Sequence, residues 1–161
     1  MKKEEKAVCQ EVKMGRIIAI ANQKGGVGKT TTAINLSASL ASMDKKVLAL
    51  DMDPQGNMTS GLGVDKDGVD KTVYDLIIGN AGIEECLCRD VLENLDVLPS
   101  NINLSAAEIE LIGVDNKEFI LRDEVKKIKD RYDFVIIDCP PALSMLTINA
   151  MTTADSVLVP I

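Results

Sequence analysis

Histidine and tryptophan are both missing from this 161-residue chain, and aromatic residues make up only 2% of it. Without histidine, Cys9, Cys86, Cys88 and Cys139 would have to bind a metal alone. Their spacing is not that of a zinc site: Cys86-Leu87-Cys88 is C-x-C, with no second pair to match it. Such thiols suit a reduced, cytoplasmic protein. So few aromatics leave no platform on which nucleobases could stack, and they require an aliphatic core of Ile, Leu, Val, Ala and Met. No apolar run approaches the ~20 residues of a transmembrane helix. The charged start, Met1-Lys2-Lys3-Glu4-Glu5-Lys6, has no apolar stretch behind it and is no secretory signal. Positive charge is short as well: 18 Lys and Arg against 25 Asp and Glu leave a net charge of −7. An overall field of that sign does not attract nucleic acid. Lys126, Lys127, Lys129 and Arg131 are interleaved with Asp123, Glu124, Asp130 and Asp133 and make no basic patch.

What is present centres on Gln23-Lys24-Gly25-Gly26-Val27-Gly28-Lys29-Thr30-Thr31, between the apolar run Ile17-Ile18-Ala19-Ile20-Ala21 and a helical pattern. Strand, glycine-rich loop and helix in that order form the context of a phosphate-binding P-loop. The glycines let the backbone curl and aim successive N–H groups at one anion. The helix starting near Lys29 directs its positive end to the same place. Lys29 is placed to reach terminal phosphates, and the Thr30 hydroxyl to ligate Mg²⁺. The general pattern has glycine at the position of Gln23, and here Lys24 follows instead.

Hydrophobic residues make up 46% of the chain, enough for one globular domain. Residues 1–14 are polar and aperiodic and read as a flexible tail; residues 15–161 form the domain, with Gly15 at the boundary. Strands are expected at 16–21, 47–51, 95–99, 134–138 and 155–160. The first lacks polar alternation, as in a parallel sheet covered on both faces. Helices are expected at 29–42, 73–78 with Thr72 as N-cap, 104–111, 118–129 and 144–151. In the first of these, Ala33, Leu36 and Leu40 share a stripe that Ile34, Ala38 and Ala41 widen. Residues 61–71 read as loop, and 79–94 are ambiguous. Asp51 and Asp53, two apart at a strand end, place both carboxylates on one face. The run Phe134-Val135-Ile136-Ile137-Asp138 is a Walker B pattern, a buried strand delivering a carboxylate to a Mg²⁺ shell. Alternating strands and helices give a three-layer α/β/α fold with a mostly parallel sheet.

The loop's second lysine marks a deviant Walker A motif, and the chain resembles the ParA/MinD group of P-loop ATPases. The resemblance extends to Leu50-Asp51-Met52-Asp53-Pro54-Gln55-Gly56-Asn57, Leu98-Pro99-Ser100-Asn101, Asp138-Cys139-Pro140-Pro141, Leu146-Thr147-Ile148-Asn149-Ala150 and Ala154-Asp155-Ser156-Val157-Leu158. The Asp-Pro-Gln-Gly-Asn form is similar to the ParA/Soj branch, which partitions chromosomes and plasmids. The resemblance implies that Gly25, Gly26, Val27, Gly28 and Lys29 hold the β- and γ-phosphates of ATP, with Thr31 near the α-phosphate. Thr30 and Asp138 would hold Mg²⁺, Asp138 through water. Lys24 would reach the nucleotide of the partner in a nucleotide-dependent homodimer, and Asp53 would orient the attacking water. Asp51 would serve the switch structurally. A ParB-like partner protein and nonspecific DNA are implied at the nucleoid, with no membrane.

ParA-type chains normally continue past the strand ending near Pro160, so the chain is expected to lack the C-terminal part carrying base and DNA contacts. Leu158 and Val159 are then expected to expose apolar surface. Cys86 and Cys88 do not match the metal-bridging cysteines of the nitrogenase-iron-protein branch and read as structural. A MinD-like cargo-positioning ATPase and a small-molecule ligase on the same scaffold are the competing classes. Lys24 and Asp-Pro-Gln-Gly-Asn argue against the ligase.

Overall fold

The computed structural model describes residues 15–161, so the expected flexible tail and Cys9 lie outside the described residues. Six strands form one sheet: β1 (Arg16–Ile20), β2 (Val47–Asp51), β3 (Cys88–Leu92), β4 (Leu95–Leu98), β5 (Phe134–Asp138) and β6 (Ser156–Leu158). Their order is β3-β4-β2-β5-β1-β6, parallel throughout except for β3, which runs antiparallel beside β4. The register is what positions chemistry. Arg16 to Ile20 stand opposite Phe134 to Asp138, and Val47 to Asp51 stand opposite the same residues from the other side. Asp51, Asp138 and the end of β1 are thereby brought level.

β2 is buried at every position, and β5 at all but its first. Alternate residues feed different layers, because successive side chains of a strand point to opposite faces. Leu48, Leu50, Val135 and Ile137 join one core. Val47, Ala49, Ile20 and Ile136 join the other. The second core is closed by α1 (Lys29–Ser42) and by Met58 of α2 (Asn57–Gly61). The first is closed by α3 (Val73–Ile77), α4 (Ile83–Cys86), α5 (Ala107–Glu110), α6 (Ile120–Lys126) and α7 (Met145–Thr153). The expected three-layer architecture is therefore the one observed.

Some elements differ from expectation. The buried stripe of α1 is Ala33, Ser37 and Ala41 rather than Ala33, Leu36 and Leu40. Small residues let the helix axis approach the sheet, and the leucines pack at its flanks. The single helix expected at 104–111 is a 3₁₀ turn, Ile102–Ala106, running into α5. That expected at 118–129 is α6 between two 3₁₀ turns, Lys117–Phe119 and Lys129–Arg131. The ambiguous stretch 79–94 holds α4 and β3, and α2 occupies residues where no helix is expected. Thr72 caps α3 as expected: its hydroxyl accepts from the Tyr74 N–H, while Asp75 accepts from the Thr72 N–H. Cys86 packs in the first core and Cys88 against the second, so the pair shares no site. Edge strand β6 and the residue after it leave Val157, Leu158 and Val159 exposed, in keeping with the expected apolar surface. Among the described residues, no helix is long and apolar enough to cross a membrane.

Gly15 marks the entry to β1 for a steric reason. A Cβ there would lie 2.5 Å from the Lys129 carbonyl oxygen and 2.7 Å from that of Tyr132. Both obstacles are backbone and cannot rotate away. Gly15→Ala is expected to lower unfolding stability by about 1–3 kcal/mol in urea titrations.

Candidate nucleotide site

The loop between β1 and α1 curls because Gly26 and Gly28 adopt left-handed conformations, with φ of +70° and +84°. Side chains rarely tolerate that region, so glycine is required at both positions. Around Gly25, Gly26 and Gly28, no other part of the protein lies within 4 Å of where a Cβ would sit. The loop therefore faces open space, a cavity of about 270 Å³ lined by Gly25, Gly26, Gly28, Lys29, Thr30, Thr31, Asp53 and Pro141. At the cavity's base, α1 begins with no side-chain cap and no acidic residue in its first turn. Its first N–H groups are left to an external anion, with the helix dipole adding to the attraction.

Lys29 is buried, and its Nζ donates to the Lys24 carbonyl oxygen at 2.9 Å, so the ammonium lies along the loop. Lys24 itself is exposed, and neither it nor Val27 lines the cavity. Thr30 turns toward the sheet, where its hydroxyl donates to Asp138 Oδ2 at 2.8 Å. Asp138 is fully buried, and its Oδ1 has no hydrogen-bond partner. Burial pushes its carboxyl up to about 7; the Thr30 hydrogen bond and Lys29 oppose this, while the charges of Asp51 and Asp53 add to it. An orphaned buried carboxylate oxygen beside a threonine hydroxyl and an open glycine cradle fits a hard cation delivered with phosphates. Among the described residues, no cluster of three or more Cys, Asp and Glu could hold a metal.

Asp51 and Asp53 have different surroundings. Asp51 is fully buried and pushed up to about 6 by that burial, against hydrogen bonds from Thr59 and the Asp53 N–H. Asp53 is half-buried and lines the cavity, with Oδ1 accepting from the Gln55 N–H at 3.0 Å. Cys139, next to Asp138, has its thiol raised to about 12, chiefly by burial, and is no nucleophile at neutral pH. The geometry thus assembles Gly25, Gly26, Gly28, Lys29, Thr30, Thr31 and Asp53 around one cavity, with Asp138 beneath. Pro141, Thr59 and Ser100 were not singled out by sequence reasoning. Pro141 and Ser100 fall in segments that carry the family resemblance, Asp138–Pro141 and Leu98–Asn101, whereas Thr59 lies outside all of them and had no signal.

The buried carboxyls set a pH dependence. An unfolded aspartate releases its proton near pH ~4, whereas Asp51 and Asp138 keep theirs in the folded state to about 6 and 7. The folded state binds more protons in that window, so their contribution to stability is fully present below about pH 4 and is lost progressively as pH rises from there through 6 and 7. The nucleotide-free protein should therefore unfold more readily at about pH 8 than at about pH 5. Asp138→Asn keeps an oxygen for Thr30 and buries no charge. It is expected to exceed the wild type by roughly 2–4 kcal/mol at about pH 8, by less at about pH 5, and to match it only below about pH 4 in urea titrations.

A family model described as an AAA domain matches residues 15–161. The sporulation initiation inhibitor protein Soj of Bacillus subtilis is 52% identical over 148 residues, covering 92% of this chain and 58% of that protein. The chromosome partitioning protein ParA of Myxococcus xanthus is 53% identical over 148 residues, covering 92% of this chain and 52% of that one. Among solved structures, the cobyrinic acid a,c-diamide synthase of Mycobacterium smegmatis, with a bound ATP analog and magnesium, superposes with a TM-score of 0.88. It is 41% identical, and the match covers 91% of this chain and 60% of that one. The chain spans about half the length of the curated relatives it matches. The chain belongs to the AAA-domain P-loop family and, over nine-tenths of its length, is similar to the Soj and ParA proteins.

Proposed function

We propose that this chain is the nucleotide-binding portion of an ATP-driven dimerisation switch with slow Mg²⁺-dependent ATPase activity, serving chromosome or plasmid partitioning. The observation that carries this reading is the convergence on one cavity of an open glycine loop, Lys29, the Thr30–Asp138 contact and Asp53. Similarity of about half the residues to Soj and ParA supports the biological role.

In this reading the loop amides and Lys29 bind the β- and γ-phosphates, and Thr31 lies near the α-phosphate. Thr30 and Asp138 hold Mg²⁺, which supplies charge compensation when bound. Lys29 leaves the Lys24 carbonyl to meet the phosphates, exchanging a neutral acceptor for a charged one. Asp53 holds and orients the attacking water. Lys24, exposed at the rim, reaches across to the nucleotide of a second copy. Positive charge is then added only when the dimer closes, so hydrolysis and association are coupled. A net charge of −7 does not favour DNA binding by this chain's overall field. We place nonspecific DNA binding in the length of the relatives that the chain does not span, and a ParB-like protein as the trigger of turnover. The setting is cytoplasmic, at the nucleoid.

A ligase reading draws on the similarity to the Mycobacterium smegmatis synthase. Lys24 favours the switch, because a ligase has no need of a cross-subunit lysine. DNA separates the two: turnover rises with added DNA at stated salt for a partitioning ATPase and is indifferent to it for a ligase.

Lys24→Ala is expected to abolish the ATP-dependent dimer while leaving the fold intact. Light scattering with and without nucleotide reads this, and an unchanged dimer rejects the cross-subunit role. Asp53→Ala is expected to bind ATP and dimerise normally but to turn over about 10²–10⁴-fold more slowly. Steady-state phosphate release at saturating Mg-ATP measures it, and normal turnover removes Asp53 from the mechanism.

A further inference from the structure

Behind the cavity lies a buried cluster to which none of these roles assigns a task. Thr59 on α2, Ser100 just beyond β4 and Asp51 at the end of β2 are all fully buried. The Thr59 hydroxyl donates to Asp51 Oδ2 at 2.7 Å, and the Thr59 N–H donates to the same oxygen at 2.9 Å. A hydroxyl has one proton to give and lone pairs to accept with. Thr59 Oγ1 accepts the Ser100 N–H at 3.0 Å. Ser100 Oγ in turn donates to the backbone carbonyl of Asp53 at 2.7 Å. The Asp53 N–H returns to Asp51 Oδ1 at 3.1 Å. These bonds close a ring: Asp51, Thr59, Ser100, Asp53 and back to Asp51.

The ring grips Asp53 by its main chain on both sides, the N–H and the C=O, while its side chain lines the cavity. Besides the ring, the turn holding Asp53 has two local bonds, from the Gly56 N–H to the Asp53 carbonyl and from the Gln55 N–H to its carboxylate, and one from the exposed Lys66 Nζ to the Gln55 carbonyl at 2.6 Å. The turn is also pressed onto Ser100. A Cβ on Gly56 would lie 2.8 Å from the Ser100 carbonyl oxygen, at a residue whose φ is +63°. The bonds among Asp51, Thr59 and Ser100 are buried and the two to Asp53 part-buried, and hydrogen bonds shielded from water are strengthened. The ring ties the end of β2 to the end of β4, and Asp53 is the one member that reaches the nucleotide cavity.

We propose that Thr59 and Ser100 are positioning residues for Asp53, holding its carboxylate at a set place relative to the P-loop. The proposal rests on the reading of Asp53 as the group that orients the attacking water. Neither hydroxyl lines the cavity; both act through the Asp53 backbone. The reaction is sensitive to this because displacement by about 1 Å can cost roughly 100-fold in rate.

The test uses the protein as expressed from its gene. Thr59→Val keeps the shape and deletes the hydroxyl, Thr59→Ser restores the hydroxyl, and Ser100→Ala removes only the bond to the Asp53 carbonyl. In Thr59→Val and Ser100→Ala, kcat for ATP hydrolysis should fall about 10- to 100-fold. KM and the calorimetric affinity for Mg-ATP should stay within about twofold. Thr59→Ser should return kcat to within about threefold of wild type. In the nucleotide-free protein, amide exchange over residues 53–59 should quicken by about tenfold or more while β2 stays protected. Wild-type kcat with unchanged exchange in both deletion variants overturns the proposal, as does a loss of kcat that Thr59→Ser fails to rescue. If Thr59→Val does not fold, Ser100→Ala decides alone, since it leaves the ring's other bonds in place. Asp53→Ala run alongside separates the two failures. Normal turnover there removes the role of Asp53 and the positioning with it. Slow turnover there, with fast turnover in Ser100→Ala, removes the positioning alone.

Discussion

Asp138 is buried at the end of the central strand with one oxygen bonded to Thr30 and the other bonded to nothing. A carboxylate in that position is costly unless a cation or a proton compensates it. Its raised affinity for protons, reaching about 7, expresses that cost. Two more aspartates lie close enough to add to it, and Lys29 offsets it only in part. The site therefore stores an electrostatic deficit at its floor and exposes donors at its wall. The glycine loop and the start of α1 point N–H groups outward, ready for anions. A ligand carrying both a divalent cation and phosphates satisfies both halves together.

The sheet makes this arrangement possible. Parallel strands β2, β5 and β1 deliver their carboxyl ends to one edge in a common register, so Asp51, Asp138 and the P-loop arrive side by side. Helices on both faces keep that edge dry below and open above. Small residues on the buried stripe of α1 let the P-loop helix lie close to the sheet, and Thr30 thereby comes within hydrogen-bond reach of Asp138. Core packing and site chemistry are one construction: a bulkier stripe would draw the hydroxyl away from the carboxylate.

Asp51 and Asp53 show how burial divides labour between like residues. The two share a strand end and a residue type. Asp51 turns inward and spends both oxygens on neighbouring donors, Thr59 among them, while Asp53 stays at the rim facing the cavity. The inner carboxylate organises structure, and the outer one is left facing the cavity.

Much of this was legible without coordinates because it is local. A strand, a glycine-rich loop and a helix follow one another within about thirty residues. The roles proposed for Lys29, Thr30 and the loop amides depend on that continuous stretch. An apolar run ending in Asp138 announces a buried strand with a charged tip. Short elements were not legible. α2, α4 and β3 are too brief for periodicity to register, and the helices expected at 104–111 and 118–129 break into 3₁₀ turns where packing overrides the pattern. Contacts between distant residues were invisible as well. The family resemblance pairs Thr30 with Asp138 at one Mg²⁺, but nothing in the sequence gives their direct hydrogen bond, 108 residues apart, or joins Thr59 to Asp51 or Ser100 to Asp53, 8 and 47 residues apart. The sequence by itself determined the fold class and the nucleotide loop, because both are written in neighbouring residues. Only the tertiary structure decided which aspartate is buried, which faces the cavity and what holds it there, because burial and register exist only once the strands are side by side.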